Sequence, residues 1–503
     1  MTNSPTITIS PYASATVTQL DRVLHADQRG GGGEINGKPS YSIQQAADEI
    51  TRDNLRWPDL NSDGKTDIAY RFLTTAGQSF RQLGLTQFSE FNQAQKESAL
   101  RAMEHWSDVA NLSFTQASPG TQEDGNISFG NFALDPQGRN AFASLPPSEG
   151  ARQFMASRPR AQINVPVAEV WLNGTEDAHT APSHNNEGHK TLAHEVGHAL
   201  GLAHPFRSHP AGVSYNTATY AEDTGGHSIM SYWSEHHSGQ SFHKNGMHHS
   251  PSTPMVDDIA AMQKLYGVNH QTRTGDTTYG FNSNADREAY HLHSNADAPV
   301  FTVWDGGGTD TLDFSGFSQN QVINLNEGTP SDIGGMRKNV FIAKGTTIEN
   351  AKGGAGDDIL IGNAAQNELS GGGGKNTYVF LTPEQSTPQA PDRITDFVSG
   401  RDKIDISNLR ATGPESTYID ESNYSPIEEL RNGLNSTRPR RDIAQKPVEL
   451  VSKFSGEGRQ VMLTYDENAR QEVLQIDLDG DRRADFMLKI DSEQMLSWGD
   501  FVK

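Results

Sequence analysis

The chain has 503 residues, enough for two or three domains, with 34% apolar residues, 48 glycines and no cysteine. Its formal net charge of −22 argues against nucleic acid or anionic membrane as partners, because both demand positive patches. The missing cysteines exclude disulfides, thiolate zinc sites and Cys nucleophiles. Asp beside abundant Gly points to calcium, a cation that takes carboxylate and carbonyl oxygens.

In chain order, residues 1–40 are polar and end in Arg29-Gly30-Gly31-Gly32-Gly33, read as a tail or short propeptide. The first twenty residues lack the basic and apolar regions of a Sec-type signal peptide. Ile43, Ala46, Ala47 and Ile50 fall at helical spacing, predicting a helix over 42–56 that Trp57-Pro58 stops. A strand follows at 67–73, then a long amphipathic helix from Phe91 to Trp106. Short strands are expected at Leu112–Phe114 and Asn126–Phe129, a helix at 188–201, and another at Asp257–Tyr266. For 141–145 the residues alone favour an ordinary loop. No run approaches 18 apolar residues, so no membrane span is predicted.

The helix at 188–201 carries the chemistry. In HEVGHALGLAH, His194 and His198 stand at i and i+4, so both imidazoles leave one face. Gly201 can end the helix abruptly and let the chain return with His204 as third ligand. Three neutral imidazoles leave zinc an open position for water, the mark of a catalytic site. Glu195, beside the first ligand, can take a proton from that water and pass it to a leaving amine. Further on, SIMSYW supplies Met230 as an apolar floor under the metal and Tyr232 as a phenol able to reach zinc or an oxyanion.

After 270 the helical periodicity fades. Three nonapeptides stand in tandem, beginning at Gly353, Gly362 and Gly371. The pattern GGxGxDxUx marks a parallel β-roll that binds calcium in its turns. Turns of such a roll stack at every second unit, so units one and three are expected to share an ion. The ligands would be Gly354, Gly356 and Asp358 on one turn, and Gly371, Gly373 and Asn376 on the other. Two further loops, 59–67 and 477–485, have alternating acidic side chains around a Gly; a polar turn is the plainer reading of each.

HEVGHALGLAHP with SIMSYW resembles the metzincins and, within them, the serralysins. ATYAEDT (218–224), DDIAAMQKLYG (257–267), WDGGGTDTLDFSGFSQNQVINLNE (304–327) and ITDFVSGRDKIDIS (394–407) are also similar to serralysin segments. The resemblance implies an α+β, multidomain chain: a metzincin-type α/β catalytic lobe over 41–270, then a β-roll and β-sandwich domain over 271–503. It implies a secreted, extracellular, monomeric zinc endopeptidase of broad specificity that also needs structural calcium. Its partners would be protein or peptide substrates, a proteinaceous inhibitor, and a type I secretion apparatus reading a C-terminal signal.

By the same resemblance Tyr232 is an additional zinc ligand at rest that swings away to hold the oxyanion. Asn131 and the segment holding Ala141 and Ala143 flank the cleft, the latter as an edge strand onto which substrate adds. Calcium would also be held by Arg273, Gly275, Thr277, Asp305, Gly307, Gly308, Asp310, Thr347 and Glu349, with Asp396 and Asp402 at the end of the roll. The chain departs from the family pattern in its short repeat region, its terminal Lys503, and six histidines between His227 and His249. Those histidines read as a solvated loop or as a pH-sensitive or metal-binding rim.

Overall fold

The computed structural model describes residues 29–30, 32–117, 125–158, 167–207, 214–409 and 449–502. Residues 1–28 of the expected tail, and Lys503, lie outside them. The described end of that segment packs on the catalytic half: Arg29 makes a bidentate pair with Asp257 (both contacts 2.8 Å), and Ser40 Oγ donates to Glu222 (2.6 Å).

A capping box between Ser42 and Gln45 starts the first helix, Ile43–Ile50. It stops six residues short of the predicted end. Thr51 Oγ1 donates back to Ala47 O (2.7 Å), and Asn54 takes a left-handed φ of 49°. Trp57 then turns inward, 1% exposed, and donates from Nε1 to Ala199 O (2.9 Å). The long helix, Gln93–Val109, opens on a second capping box, Asn92 with Gln95, and buries Ala99, Ala102, Met103 and Trp106.

Five strands form one sheet in the order Leu112–Gln116, Thr66–Phe72, Gly125–Phe132, Val167–Asn173, Ala141–Ala143. The first four run parallel and the last is antiparallel. Val167–Asn173 escapes the sequence reading, because Glu169 and Asn173 break its apolar run. Asn173 N donates to Asn140 O (2.7 Å) and Ser144 N to Glu169 O (2.9 Å). In antiparallel pairing hydrogen-bonded pairs alternate, so Ala141 and Ala143 direct their N–H and C=O outward from the sheet's open edge.

Beyond 270 the chain visits two parallel ladders alternately. One joins Thr278–Gly280, Thr311–Asp313, Asn350–Lys352, Glu368–Ser370 and Asp392–Phe397; the other joins Val322–Asn324, Ile359–Ile361, Thr377–Val379 and Lys403–Asp405. The first ladder continues into an antiparallel run of strands 460–466, 471–477 and 486–492. Inward Leu312, Ala351, Leu369, Ile394, Leu360 and Tyr378 fill the space between the ladders. Ala298, Val300, Trp304 and Phe341 pack from the second half into the same apolar cluster as Trp106 and Met230. Asp108 of the long helix accepts from both Arg273 (2.9 Å) and Arg287 (2.8 Å), binding the two halves.

Candidate active site

Asn186 caps the metal helix, Glu187–Ala199, by accepting from His189 N (3.0 Å). The helix ends at Gly201, whose φ is +108° and where a Cβ would lie 1.8 Å from Leu55 O. Only glycine fits so close an approach. The chain then doubles back, with Leu202 N donating to Gly197 O (2.9 Å) and Ala203 N to Ile50 O (2.8 Å). Arg52 fastens the returning loop by donating from Nη1 to His204 O (2.6 Å), and Arg207 pairs with Glu49 through two contacts of 2.8 and 2.7 Å.

The three histidines converge. His204 Nε2 is 3.2 Å from His194 Nε2 and 2.9 Å from His198 Nε2. Ligand atoms about 2.0–2.1 Å from one tetrahedral zinc would stand roughly 3.3 Å apart, so the set fits that ion. The far ring nitrogens agree. His194 Nδ1 meets Ile229 O and His198 Nδ1 meets Leu202 O, both at 2.7 Å. A carbonyl can only accept, so each Nδ1 carries the proton and each Nε2 keeps its lone pair for a metal. Burial, with the proximity of His198, holds His194 well below its usual pKa and therefore neutral.

Glu195 is 4% exposed, and its Oε2 has no hydrogen-bond partner. Burial pushes its carboxyl up to about 8. A dication beside it would reverse that shift. Tyr232, 48% exposed, has its ring centroid 4.4 Å from that of His204, and burial raises its phenol to about 12. Met230 is fully buried, and its sulfur lies against the metal helix, where a Cβ on Gly197 would come within 2.9 Å of it.

A buried carboxylate holds the Met230 turn in place. Asp258 accepts from Ser228 Oγ (2.6 Å), Ile229 N (2.7 Å) and Met255 N (2.9 Å). Asp223 does the same for the next residues, accepting from Ser231 Oγ (2.7 Å) and Trp233 Nε1 (3.2 Å). Sequence reasoning missed both roles, although both residues fall within segments already noted. Ala141 and Ala143 line a cleft of 370 Å³ with Glu195, His198, His204 and Tyr232. Asn131 does not line it. Its amide is buried and pairs with Gln95 at 2.9 and 3.0 Å and with Glu90 O at 3.0 Å, tying the sheet to the long helix.

Residues 67–224 match the Matrixin family model, and 268–438 with 431–503 match Peptidase M10 serralysin C terminal. Metalloprotease AprA of Pseudomonas entomophila is 42% identical over 511 residues, covering 96% of this chain and 95% of the relative. Serralysin C of Dickeya chrysanthemi is 41% identical over 513 residues, covering 97% and 96%. The chain belongs to the serralysin family. It is a zinc metalloendopeptidase.

The second half of this serralysin gathers carboxylates at its loops. Asp305, Asp310 and Glu349 surround the start of the first ladder: Thr277 N donates to Asp310 Oδ1 (2.7 Å), Gly307 N to Asp305 (2.7 Å) and Asp310 N to Glu349 (2.7 Å). Burial pushes Asp310 up to about 7, and its Oδ2 has no hydrogen-bond partner. Gly275 O accepts from Thr277 Oγ1 (2.8 Å), and a Cβ on Gly308 would sit 2.7 Å from Gly275. Arg273 brings its side chain to Asp108, Asp286 and Trp304 O, while Thr347 is exposed.

Repeat units one and three lie in the same ladder and touch, so that Cβ atoms on Gly372 and Gly374 would come within 2.3 and 2.1 Å of Gly354 O and Gly356 O. Gly371 N donates to Asp396 (3.0 Å), and a Cβ on Gly373 would stand 3.1 Å from Ala355. Asp358 accepts from Gly354 N (2.7 Å), and Asn376 Oδ1 accepts from Asp358 N (3.1 Å). Asp396 accepts from Ser370, Gly371, Gly372 and Tyr378, and Asp402 pairs with Arg401 at 2.9 Å. Asp392, passed over in the sequence, is fully buried with an unpartnered Oδ2.

The six histidines do not gather at one point: the rings of His236 and His237 are 4.0 Å apart and those of His243 and His248 are 5.0 Å apart. His227 is buried against Phe341, His237 stacks on Tyr215, and His248 pairs with Glu235 at 3.3 Å. No group of three metal-ligating side chains forms among them within the described residues.

Proposed function

We propose that this serralysin is a secreted, calcium-dependent endopeptidase of broad specificity in which Glu195 is the general base and Tyr232 stabilises the oxyanion. The observation that carries this reading is the convergence of the Nε2 atoms of His194, His198 and His204 beside Glu195, whose Oε2 has no hydrogen-bond partner, on one cleft. His194, His198 and His204 would hold zinc, which would supply a Lewis acid to make water nucleophilic near neutral pH. Glu195 takes the proton as the nucleophile attacks and returns it to the leaving amine. Tyr232, beside His204, would turn its phenol O–H toward the oxygen where negative charge develops. Substrate backbone pairs with the outward groups of Ala141 and Ala143, which ignores side-chain identity and accounts for broad specificity.

The alternating ladders support a β-roll followed by a β-sandwich over 271–503. The unpartnered oxygens of Asp310 and Asp392 support calcium in its loops. Export by a type I apparatus, a monomeric state, a catalytic domain over 41–270 and a removable N-terminal segment belong to the same reading. Glu195→Gln is expected to retain stoichiometric zinc and lose at least a hundredfold in kcat on casein or a quenched peptide, within the usual range for removing a general base (~10²–10⁴-fold). Near-normal turnover would refute the assignment of the base.

A further inference from the structure

One cation on the cleft wall has been given no role above, although its charge opposes the effect of burial on Glu195. Arg139 lines the same cleft as Glu195, His198 and His204, just ahead of the edge strand Ala141–Ala143. A tight turn with Gly138 at φ +68° places it there. Asp135 accepts from its backbone N–H (3.0 Å), its Nε (2.7 Å) and its Nη2 (3.3 Å). The guanidinium lies 3.6 Å from the centre of the Phe142 ring. Fork and stack together leave it little rotamer freedom to lose on binding.

The grip also leaves the charge available. Asp135 has a side chain 1% exposed, whereas that of Arg139 is 29% exposed. The carboxylate therefore sits beneath the guanidinium and covers its Nε and Nη2 edge. Nη1 remains a donor with no partner among the described residues. Arg52, the other arginine on this cleft, is committed to the carbonyls of Glu49, His204 and Phe206.

We propose that Arg139 is a specificity-determining residue that favours an Asp or Glu side chain near the scissile bond, on the segment pairing with Ala141 and Ala143. The inference rests on the edge-strand mode of substrate binding proposed above. A substrate carboxylate would meet a fixed, partly desolvated donor, while a lysine at the same position would meet like charge.

The test uses the full-length enzyme loaded with zinc and calcium and a set of quenched peptides. Each carries Glu, Gln or Lys at one of the three positions on either side of the cut. At one position the wild type should cleave the Glu peptide about fivefold faster in kcat/KM than the Gln peptide, and the Lys peptide slower still. The preference should shrink between low and high salt, as for any exposed charge pair. Arg139→Gln should bring the Glu-to-Gln ratio to about one. Arg139→Lys, which keeps the charge without the fork, should keep part of it and serves if the first variant folds poorly. A wild-type ratio of one at every position, or a preference that survives in Arg139→Gln, would overturn the inference. Failure to cleave any peptide would sink the protease reading with it, whereas cleavage indifferent to Glu sinks the inference alone.

Discussion

Replacing Asp258 tests whether the zinc site depends on a carboxyl that never touches the metal. Burial raises its pKa from 3.8 to about 7, so at pH 6 the group is mostly neutral. In that state one oxygen still accepts from Ile229 N and Met255 N, while the other shares a proton with Ser228 Oγ. Asp258→Ala leaves two buried N–H groups unpaired. At about 1–3 kcal/mol each, the loss should be roughly 4 kcal/mol.

The effect should also reach the metal. Ile229 N hangs on Asp258, and Ile229 O orients His194 through Nδ1. Loosening that turn should weaken zinc affinity by about 10–100-fold. Asp258→Asn keeps an acceptor for both N–H groups and should cost under about 1 kcal/mol at pH 6. Urea unfolding of the zinc-loaded protein gives the first quantity, and competition with a chelating dye gives the second. If Asp258→Ala lost less than about 1 kcal/mol and bound zinc normally, the chain of contacts would not be what holds the site. The sign of the pH effect is also fixed. A carboxyl raised on folding contributes stability fully below pH 3.8 and loses it as pH rises through about 7, so Asp258→Asn should flatten the stability profile across that window.

Other outcomes follow from the same contacts. Gly201→Ala would drive a Cβ to 1.8 Å from Leu55 O at a φ of +108°, so it should cost about 3 kcal/mol or more and lower zinc content measured by atomic absorption. Asp108→Ala takes from Arg273 and Arg287 their shared buried carboxylate, leaving them the more exposed Asp286, and should destabilise the junction of the halves by about 2 kcal/mol, read as earlier urea unfolding. Glu235 is held down at about 2, His248 and Ser234 outweighing burial, while Glu235 raises His248 above 6.5. Their mutual stabilisation is therefore complete between pH 4.5 and 6.5. It fades as pH falls through about 2 or rises past the raised histidine pKa. His248→Gln should thus lower the melting temperature more at pH 5.5 than at pH 8.5. Chelating calcium with EGTA should unfold the second half first, and Asp310→Asn should shift that transition to higher free calcium, both followed by circular dichroism.

The parts of this molecule visible in its sequence are those whose contacts are close in the chain. His194, Glu195 and His198 share one helical turn, and the nonapeptides announce their own period. What stayed hidden depends on distant partners. The role of Asp258 needs Ile229, and the close approach that makes glycine obligatory at 201, though its helix-ending role was legible, needs Leu55; neither spacing leaves a pattern along the chain. Ala141–Ala143 is three residues long, too short for alternation to separate a strand from a loop. Asn131 was placed at the cleft by resemblance, yet its amide faces Gln95. The helix expected to reach Arg56 stops at Ile50 because its last turn leaves to support His204.

The open edge at Ala141 and Ala143 also bears on what the enzyme can attack. A substrate that pairs with this edge in the proposed way must bring an extended stretch of several residues, and such stretches inside folded proteins are already paired or coiled. Cleavage of a native target is then gated by how often that target opens locally, a property of the victim rather than of the cleft. Under the broad specificity proposed above, the map of cuts made in a folded protein would be a map of where that protein breathes.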